Sequence, residues 1–152
     1  MTKAQDETWP YFDDVNPTRE DKLRQIIAEL ALFRNLGLQL VRVDKDYSKI
    51  RVPHSEDVVR PGGVIHGGVH AVLIDTAVGH AILSTIKRGF FIATIQMQTK
   101  YFAPVTSGGL TCEGKVIRKG RTVAHGDAFL YNDEGGLVGQ GSCVYAVTRR
   151  PV

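Results

Sequence analysis

A histidine and two glycines, His66-Gly67-Gly68, open an apolar stretch whose one carboxylate is Asp75. Glycines in the first turn of a helix leave backbone N–H groups open to close approach, at the positive end of the helix dipole. Such donors suit negative charge developing on a carbonyl oxygen. Asp75 is alone among Val69, Ala71, Val72, Leu73, Ile74, Ala77 and Val78. An apolar setting disfavours its charged form and suits it to proton transfer. Gly67 and Asp75 together read as an oxyanion donor and a base, with His66 either orienting the turn or donating itself. Plainer readings stand beside these: turn glycines that let a loop enter a helix, and an acid bonded to backbone or to the Thr76 hydroxyl.

Gly67 and Asp75 are eight residues apart, roughly 12 Å along one helix at 1.5 Å per residue, so they do not touch the same carbonyl group. If both act on one bond, the glycine end meets the acid of a second, antiparallel copy of the helix, as a two-fold dimer arranges. Thr94 lies in Phe91-Ile92-Ala93-Thr94-Ile95-Gln96-Met97-Gln98. Strand parity groups it with Gln96 and Gln98, opposite Phe91, Ala93, Ile95 and Met97. There it is a candidate to hold the attacking water, or simply a threonine suited to a strand. Arg118, Lys119 and Arg121 crowd a glycine turn and read either as phosphate contacts or as a solvated hairpin tip, as do Arg149 and Arg150.

Other chemistries are absent as motifs. The chain has no Gly-x-Ser-x-Gly elbow, no phosphate-binding Gly-x-x-x-x-Gly-Lys loop and no Gly-x-Gly-x-x-Gly between a strand and a helix. Cys112 and Cys143 lack metal or redox spacing and read as buried free thiols, which suggests a reducing compartment. His66 and His70 share a four-residue spacing, but the glycines between them argue against a metal site. With 19 Lys and Arg against 16 Asp and Glu among 152 residues, the chain lacks the clustered basic stripe of a nucleic-acid binder. No segment reaches the roughly twenty apolar residues of a membrane span, and the N-terminus lacks a signal-peptide pattern. The expectation is a cytoplasmic protein with no nucleic-acid or membrane partner.

The elements that must position these residues follow from periodicity. Residues 1–35 form an arm, with Trp9, Tyr11 and Phe12 packing on the domain, and one amphipathic helix. That helix is capped at Thr18 with Asp21, ends at Arg34 and Gly37, and carries the stripe Leu23, Ile26, Ile27, Leu30 and Phe33. Residues 36–152 form the main domain. A hairpin runs from Leu38 to Val52 with a shift of face between Leu40 and Val43, and residues 53–64 are a loop. The central helix spans Gly67 to about Thr85. Four strands follow, Phe90 to Phe102, Leu110 to Arg118, Arg121 to Tyr131 and Leu137 to Thr148, antiparallel neighbours by their short connections. A nearly all-apolar helix with five or six such strands implies an α+β fold, a curved sheet wrapped round the helix.

His66-Gly67-Gly68, Asp75 eight residues beyond Gly67, Tyr101-Phe102-x-Pro104 and the Lys119-Gly120-Arg121 turn together resemble the hotdog-fold acyl-CoA thioesterases. The nearest branch is the phenylacetic-acid-pathway type within the 4-hydroxybenzoyl-CoA thioesterase superfamily. The resemblance covers roughly Leu36 to Thr148. It implies two subunits joined in one continuous sheet, often as a dimer of dimers, and hydrolysis of coenzyme A thioesters with no cofactor beyond the substrate's own coenzyme A. It further implies Gly67 as donor to the thioester carbonyl, Asp75 of the neighbouring subunit as base or nucleophile, and Thr94 as the hydroxyl that positions water. Gly68 and the basic hairpin would lie along the substrate. Where many members carry a polar amide six residues before the histidine, this chain has Arg60, suited to an acyl carboxylate or a phosphate. Phe90, Phe91, Ile82 and Ile86 are candidates for an apolar acyl pocket. Two other functions fit parts of the pattern: a hydratase or dehydratase using Asp75 with His80, and a non-catalytic acyl-CoA binding module.

Overall fold

The computed structural model describes residues 17–86 and 89–149. The aromatic arm before Pro17, the side chain of Thr18, and Arg150 lie outside the described residues. Six strands, numbered in chain order, form one antiparallel sheet arranged β1-β2-β6-β7-β8-β5. They are β1 (Gln39–Asp44), β2 (Tyr47–Pro53), β5 (Phe91–Tyr101), β6 (Gly109–Lys119), β7 (Val123–Asn132) and β8 (Leu137–Thr148). Across this sheet lies α3 (Gly67–Leu83), with Leu73, Ile74, Val78 and Ile82 wholly buried. Burying such a side chain contributes about 2 kcal/mol, so α3 and the sheet face it covers form the main core. Helix and sheet approach to backbone contact: a Cβ on Gly114 of β6 would fall 2.4 Å from the Ala77 carbonyl carbon. Ser48 of β2 donates to the Ala77 carbonyl at 2.7 Å. This is the α+β arrangement of sheet and central helix expected from the periodicity, and the hotdog fold that the resemblance implied.

Several local expectations are corrected. The first helix is two: α1 (Pro17–Glu29) and α2 (Ala31–Leu36), separated by Leu30 in an extended conformation. Arg34 does not close one long helix. Its guanidinium reaches back to the Ala28 and Glu29 carbonyls, supplying donors that the end of α1 lacks. Leu23 and Ile27 are buried as the stripe requires, but Leu30 is 47% exposed because the break turns it outward. Thr18 falls inside α1, one residue past its start, rather than at the cap. Gly37 does end α2, with φ 68° and its N–H on the Arg34 carbonyl. The stretch read as a loop contains a small ladder, β3 (Val59–Arg60) with β4 (Val64–Ile65), closed by Pro61-Gly62-Gly63.

β5 is not the neighbour of β6. It pairs with β8 at the edge of the sheet, and residues 102–108 carry the chain past the end of β8. That crossing is held by the N–H groups of Phe102 and Ala103 on the Val138 carbonyl and by buried Val105, whose carbonyl accepts from Ile65. The face shift expected in β1 is a register shift between Leu40 and Arg42.

Candidate active site

α3 begins at a built N-terminus. His66 is the cap residue, and its Nδ1 accepts the Gly68 N–H at 2.9 Å, while the Val69 N–H bonds to the His66 carbonyl. The Gly68 N–H is therefore engaged with His66. The Gly67 N–H has no acceptor among the described residues, and the helix dipole makes it a donor for an oxyanion. His66 acts on the turn as an acceptor through Nδ1, which orients the helix start and leaves the ring proton on Nε2.

Tyr101 packs against Gly67, its hydroxyl donating to the Gly67 carbonyl at 3.0 Å. His70 is buried beside it, ring edge toward Tyr101 at 5.3 Å between centroids. Burial lowers the His70 pKa, opposed by its bond to the His66 carbonyl, so the ring is held neutral. Arg60, Gly67, His70, Tyr101, Phe102 and Pro104 line one surface groove of about 320 Å³. The structure thus brings Arg60 to the oxyanion end of the helix. Its guanidinium is exposed and donates to the Pro61 carbonyl at 3.2 Å.

Asp75 is two turns further along α3 and half-buried. Thr94 donates to its Oδ1 at 2.7 Å, and the Tyr145 hydroxyl is 2.7 Å from the same oxygen and 2.5 Å from the Asp75 backbone carbonyl oxygen. Thr94 thus spends its proton on the acid, and what it offers a water is a lone pair. Its strand companions also differ from simple parity. A β-bulge between Thr94 and Gln96 puts Ile92 and Thr94 on the face of α3 before it and Met97, Thr99 and Tyr101 after it. Gln96 and Gln98 lie on the other face. Tyr145, Tyr101 and His70 are neighbours of the candidate site to which sequence reasoning assigned no role there. For Tyr145 the available signal was its alternation in β8 with buried Cys143 and Val147.

The basic hairpin divides. A second bulge, between Val116 and Arg118, leaves Arg118 opposite exposed His125 and Lys119 opposite buried Ala124. Arg118 therefore faces away from α3. Lys119 reaches the helix end, where its ammonium contacts the Thr85 hydroxyl and pairs with Asp46 at 3.3 Å. Lys119 and Arg121 line a groove of about 460 Å³ with Lys45, Ile86, Phe90 and Val147. Of the four residues expected to form an acyl pocket, Ile86 and Phe90 meet there, whereas Ile82 is wholly buried under the sheet. Arg149 stacks over the Phe90 ring at 5.3 Å. His80, weighed as a partner for Asp75, is buried beside the Leu23 backbone of α1 with Nδ1 on the Thr76 carbonyl. It does not converge with the acid. Cys112 and Cys143 are buried free thiols, and burial pushes Cys143 up to about 12. Among the described residues no three His, Cys, Asp or Glu side chains gather as a metal-holding group, and no helix is long and apolar enough to cross a membrane.

An open backbone N–H and a hydroxyl-held carboxylate lie on the central helix of a hotdog fold, and comparison with known proteins gives the class. The model of the Thioesterase superfamily matches residues 62–139, just over half of the chain. The chain belongs to that superfamily, a class of thioester hydrolases. A protein of Saccharolobus solfataricus named as an esterase is 34% identical over 92 residues, 60% of this chain and 65% of that relative. The 1,4-dihydroxy-2-naphthoyl-CoA hydrolase of Listeria monocytogenes is 22% identical over 121 residues, 80% of this chain and 98% of that enzyme. A crystal structure of a Haemophilus influenzae thioesterase superposes with a TM-score of 0.79 at 23% identity, covering 84% of this chain and 89% of that one.

Proposed function

We propose that the chain is a cytoplasmic acyl-CoA thioesterase acting as a homodimer, alone or paired into a dimer of dimers, with each active site shared between two copies. One observation carries this. The open Gly67 N–H and the Asp75 carboxylate sit on a single helix about 12 Å apart, too far for one carbonyl group. The strand that serves both, β5, is an outer strand of the sheet, at the edge opposite β1, with Ile95 60% and Tyr101 56% exposed. A long exposed edge of this kind is a surface that a second strand covers. An antiparallel copy of β5 and α3 brings Gly67 of one subunit to Asp75 of the other.

In that site the Gly67 N–H takes the thioester carbonyl oxygen, and Asp75 draws a proton from water as the water attacks, or attacks the carbonyl carbon itself. On the first route the C–S bond breaks, the proton passes from Asp75 to the departing coenzyme A thiol, and the free acid remains; on the second the C–S bond breaks to leave an Asp75–acyl anhydride and coenzyme A thiolate, and water then hydrolyses the anhydride, giving the free acid, the restored carboxylate and a proton for the thiolate. Oxygen-18 incorporation into Asp75 in a single turnover separates the two routes. Arg60, Lys119 and Arg121 are the cations offered to the phosphates or to an acyl carboxylate. No cofactor is needed beyond the coenzyme A of the substrate. The Listeria relative supports coenzyme A as the leaving group; the phenylacetic-acid branch rests on the sequence resemblance alone.

The test is thiol release across acyl-CoA thioesters that include phenylacetyl, aromatic, short, linear and dicarboxylic acyl groups. Wild-type protein turns over at least one class, and Asp75→Asn loses about 10²–10⁴-fold, as removal of a general base does. No release from any thioester, or an undiminished Asp75→Asn, overturns the reading.

A further inference from the structure

Tyr145 is buried in β8, the direct cross-strand partner of Thr94, so the two side chains rise side by side toward α3. Their hydroxyls converge on one atom: Thr94 donates to Asp75 Oδ1 at 2.7 Å and the Tyr145 oxygen lies 2.7 Å from it. Among the described residues Oδ2 has no donor. We propose that Tyr145 is a positioning residue for Asp75, acting with Thr94 to occupy Oδ1 and leave Oδ2 as the oxygen that meets water or the acyl carbon. This rests on the role given to Asp75 above and adds a group which that reading does not require.

Gly79 supports it independently. It lies one turn beyond Asp75 in the interior of α3, where glycine costs about 1 kcal/mol relative to alanine. A Cβ there would stand 3.0 Å from the Tyr145 hydroxyl oxygen. The turn between Asp75 and Gly79 is thus kept open where the phenol enters. The phenol has one proton and two acceptors, the Asp75 carboxylate and the Asp75 backbone carbonyl. The charged acceptor makes the stronger bond, and the carbonyl already has its helical partner four residues on. Burial and the Asp75 charge raise the Tyr145 pKa, which keeps the phenol a donor. Cys143, on the same strand, also feels the Asp75 charge, and burial first and that charge second hold it protonated.

The experiment has one arm that does not depend on turnover. In protein labelled with carbon-13 at tyrosine Cζ, the Tyr145 resonance, assigned with Tyr145→Phe, shifts in Asp75→Asn if the phenol serves the carboxylate. It stays in place if the phenol serves only the backbone carbonyl, which overturns the proposal. In the kinetic arm, Tyr145→Phe lowers kcat about ten-fold with KM within about two-fold, the pattern of a group needed in the transition state and not for binding. Gly79→Ala, which keeps the phenol but displaces it, lowers kcat in the same direction and adds little to Tyr145→Phe. A folded Tyr145→Phe with wild-type kcat overturns the proposal and leaves the thioesterase reading intact. Wild-type protein that releases no thiol overturns both. Should Tyr145→Phe fail to fold, the Cζ resonance, assigned by elimination from the other tyrosines, and Gly79→Ala decide.

Discussion

Thr94 and Tyr101 stand seven residues apart on β5, yet both hydroxyls reach α3, one at Asp75 and the other at Gly67. In a regular strand an odd separation places side chains on opposite faces. The bulge at Ile95 supplies the missing half-period: seven residues on β5 match six on β8, from Tyr145 to Gly139. One strand can therefore serve both ends of the site.

The bulge makes an unusual prediction about length. Deleting Ile95 leaves six residues for six ladder steps, so both hydroxyls keep their face and thiol release stays within about ten-fold of wild type. Deleting Ile95 and Gln96 together leaves five for six. One of the two contacts is then lost, and activity falls by about 10²-fold or more, as for loss of one oxyanion donor. Parallel circular dichroism separates this from unfolding. A double deletion as active as the single would show that face alternation on β5 does not matter.

Gly67 makes the second prediction. A Cβ there meets Tyr101 at 3.2 Å from its hydroxyl and 3.3 Å from its ring. That is tighter than ordinary contact, so Gly67→Ala must displace the ring or the helix start. Loss of about 10²-fold in kcat/KM is expected, the scale of a misplaced oxyanion donor. If the clash is the cause, Tyr101→Ala in the same chain recovers part of the loss. A double variant worse than Gly67→Ala alone would mean that the methyl obstructs the substrate directly.

What was legible in the sequence follows from which interactions are local. The all-apolar run of α3 and the period-two strands needed no knowledge of partners, and the pairing of His66-Gly67-Gly68 with Asp75 marks both ends of the candidate site. The bulges at Ile95 and Ile117 carry no glycine or proline to announce them, so parity misassigned the companions of Thr94 and hid the split between Arg118 and Lys119. Tyr145 escaped because β5 pairs with β8 across about fifty residues of chain, a contact that no local pattern reports. The break at Leu30 likewise has no helix-breaking residue to announce it, and the Arg34 guanidinium that satisfies the carbonyls there comes from the next helix.

A third prediction concerns acid. His80 is buried, and burial lowers its pKa below the ordinary value of 6.5 despite its bond to the Thr76 carbonyl. Below 6.5 the unfolded chain therefore binds more protons than the folded one. The stability is fully present above 6.5 and drains away as the pH falls toward the lowered folded value. His70, shifted the same way, adds to the trend. The urea midpoint, measured at one fixed protein concentration, should fall between about pH 7.5 and 5.5, and fall less in His80→Phe. Equal slopes in the two proteins would assign the acid sensitivity elsewhere.

The proposal that each site is shared between two copies makes the most stringent prediction. Asp75→Asn and Gly67→Val each damage both sites of a homodimer and should be inactive alone. In a mixed dimer, one site combines the intact glycine of the first variant with the intact acid of the second, while the other site inherits both lesions. Random reassociation of equal amounts makes half of the dimers mixed, each with one working site, so about a quarter of wild-type thiol release should return. Recovery must require subunit exchange: two variants kept from exchanging stay silent. If each copy carried a complete site, no mixture would recover activity, and the 12 Å that separates Gly67 from Asp75 would have to be closed within one chain.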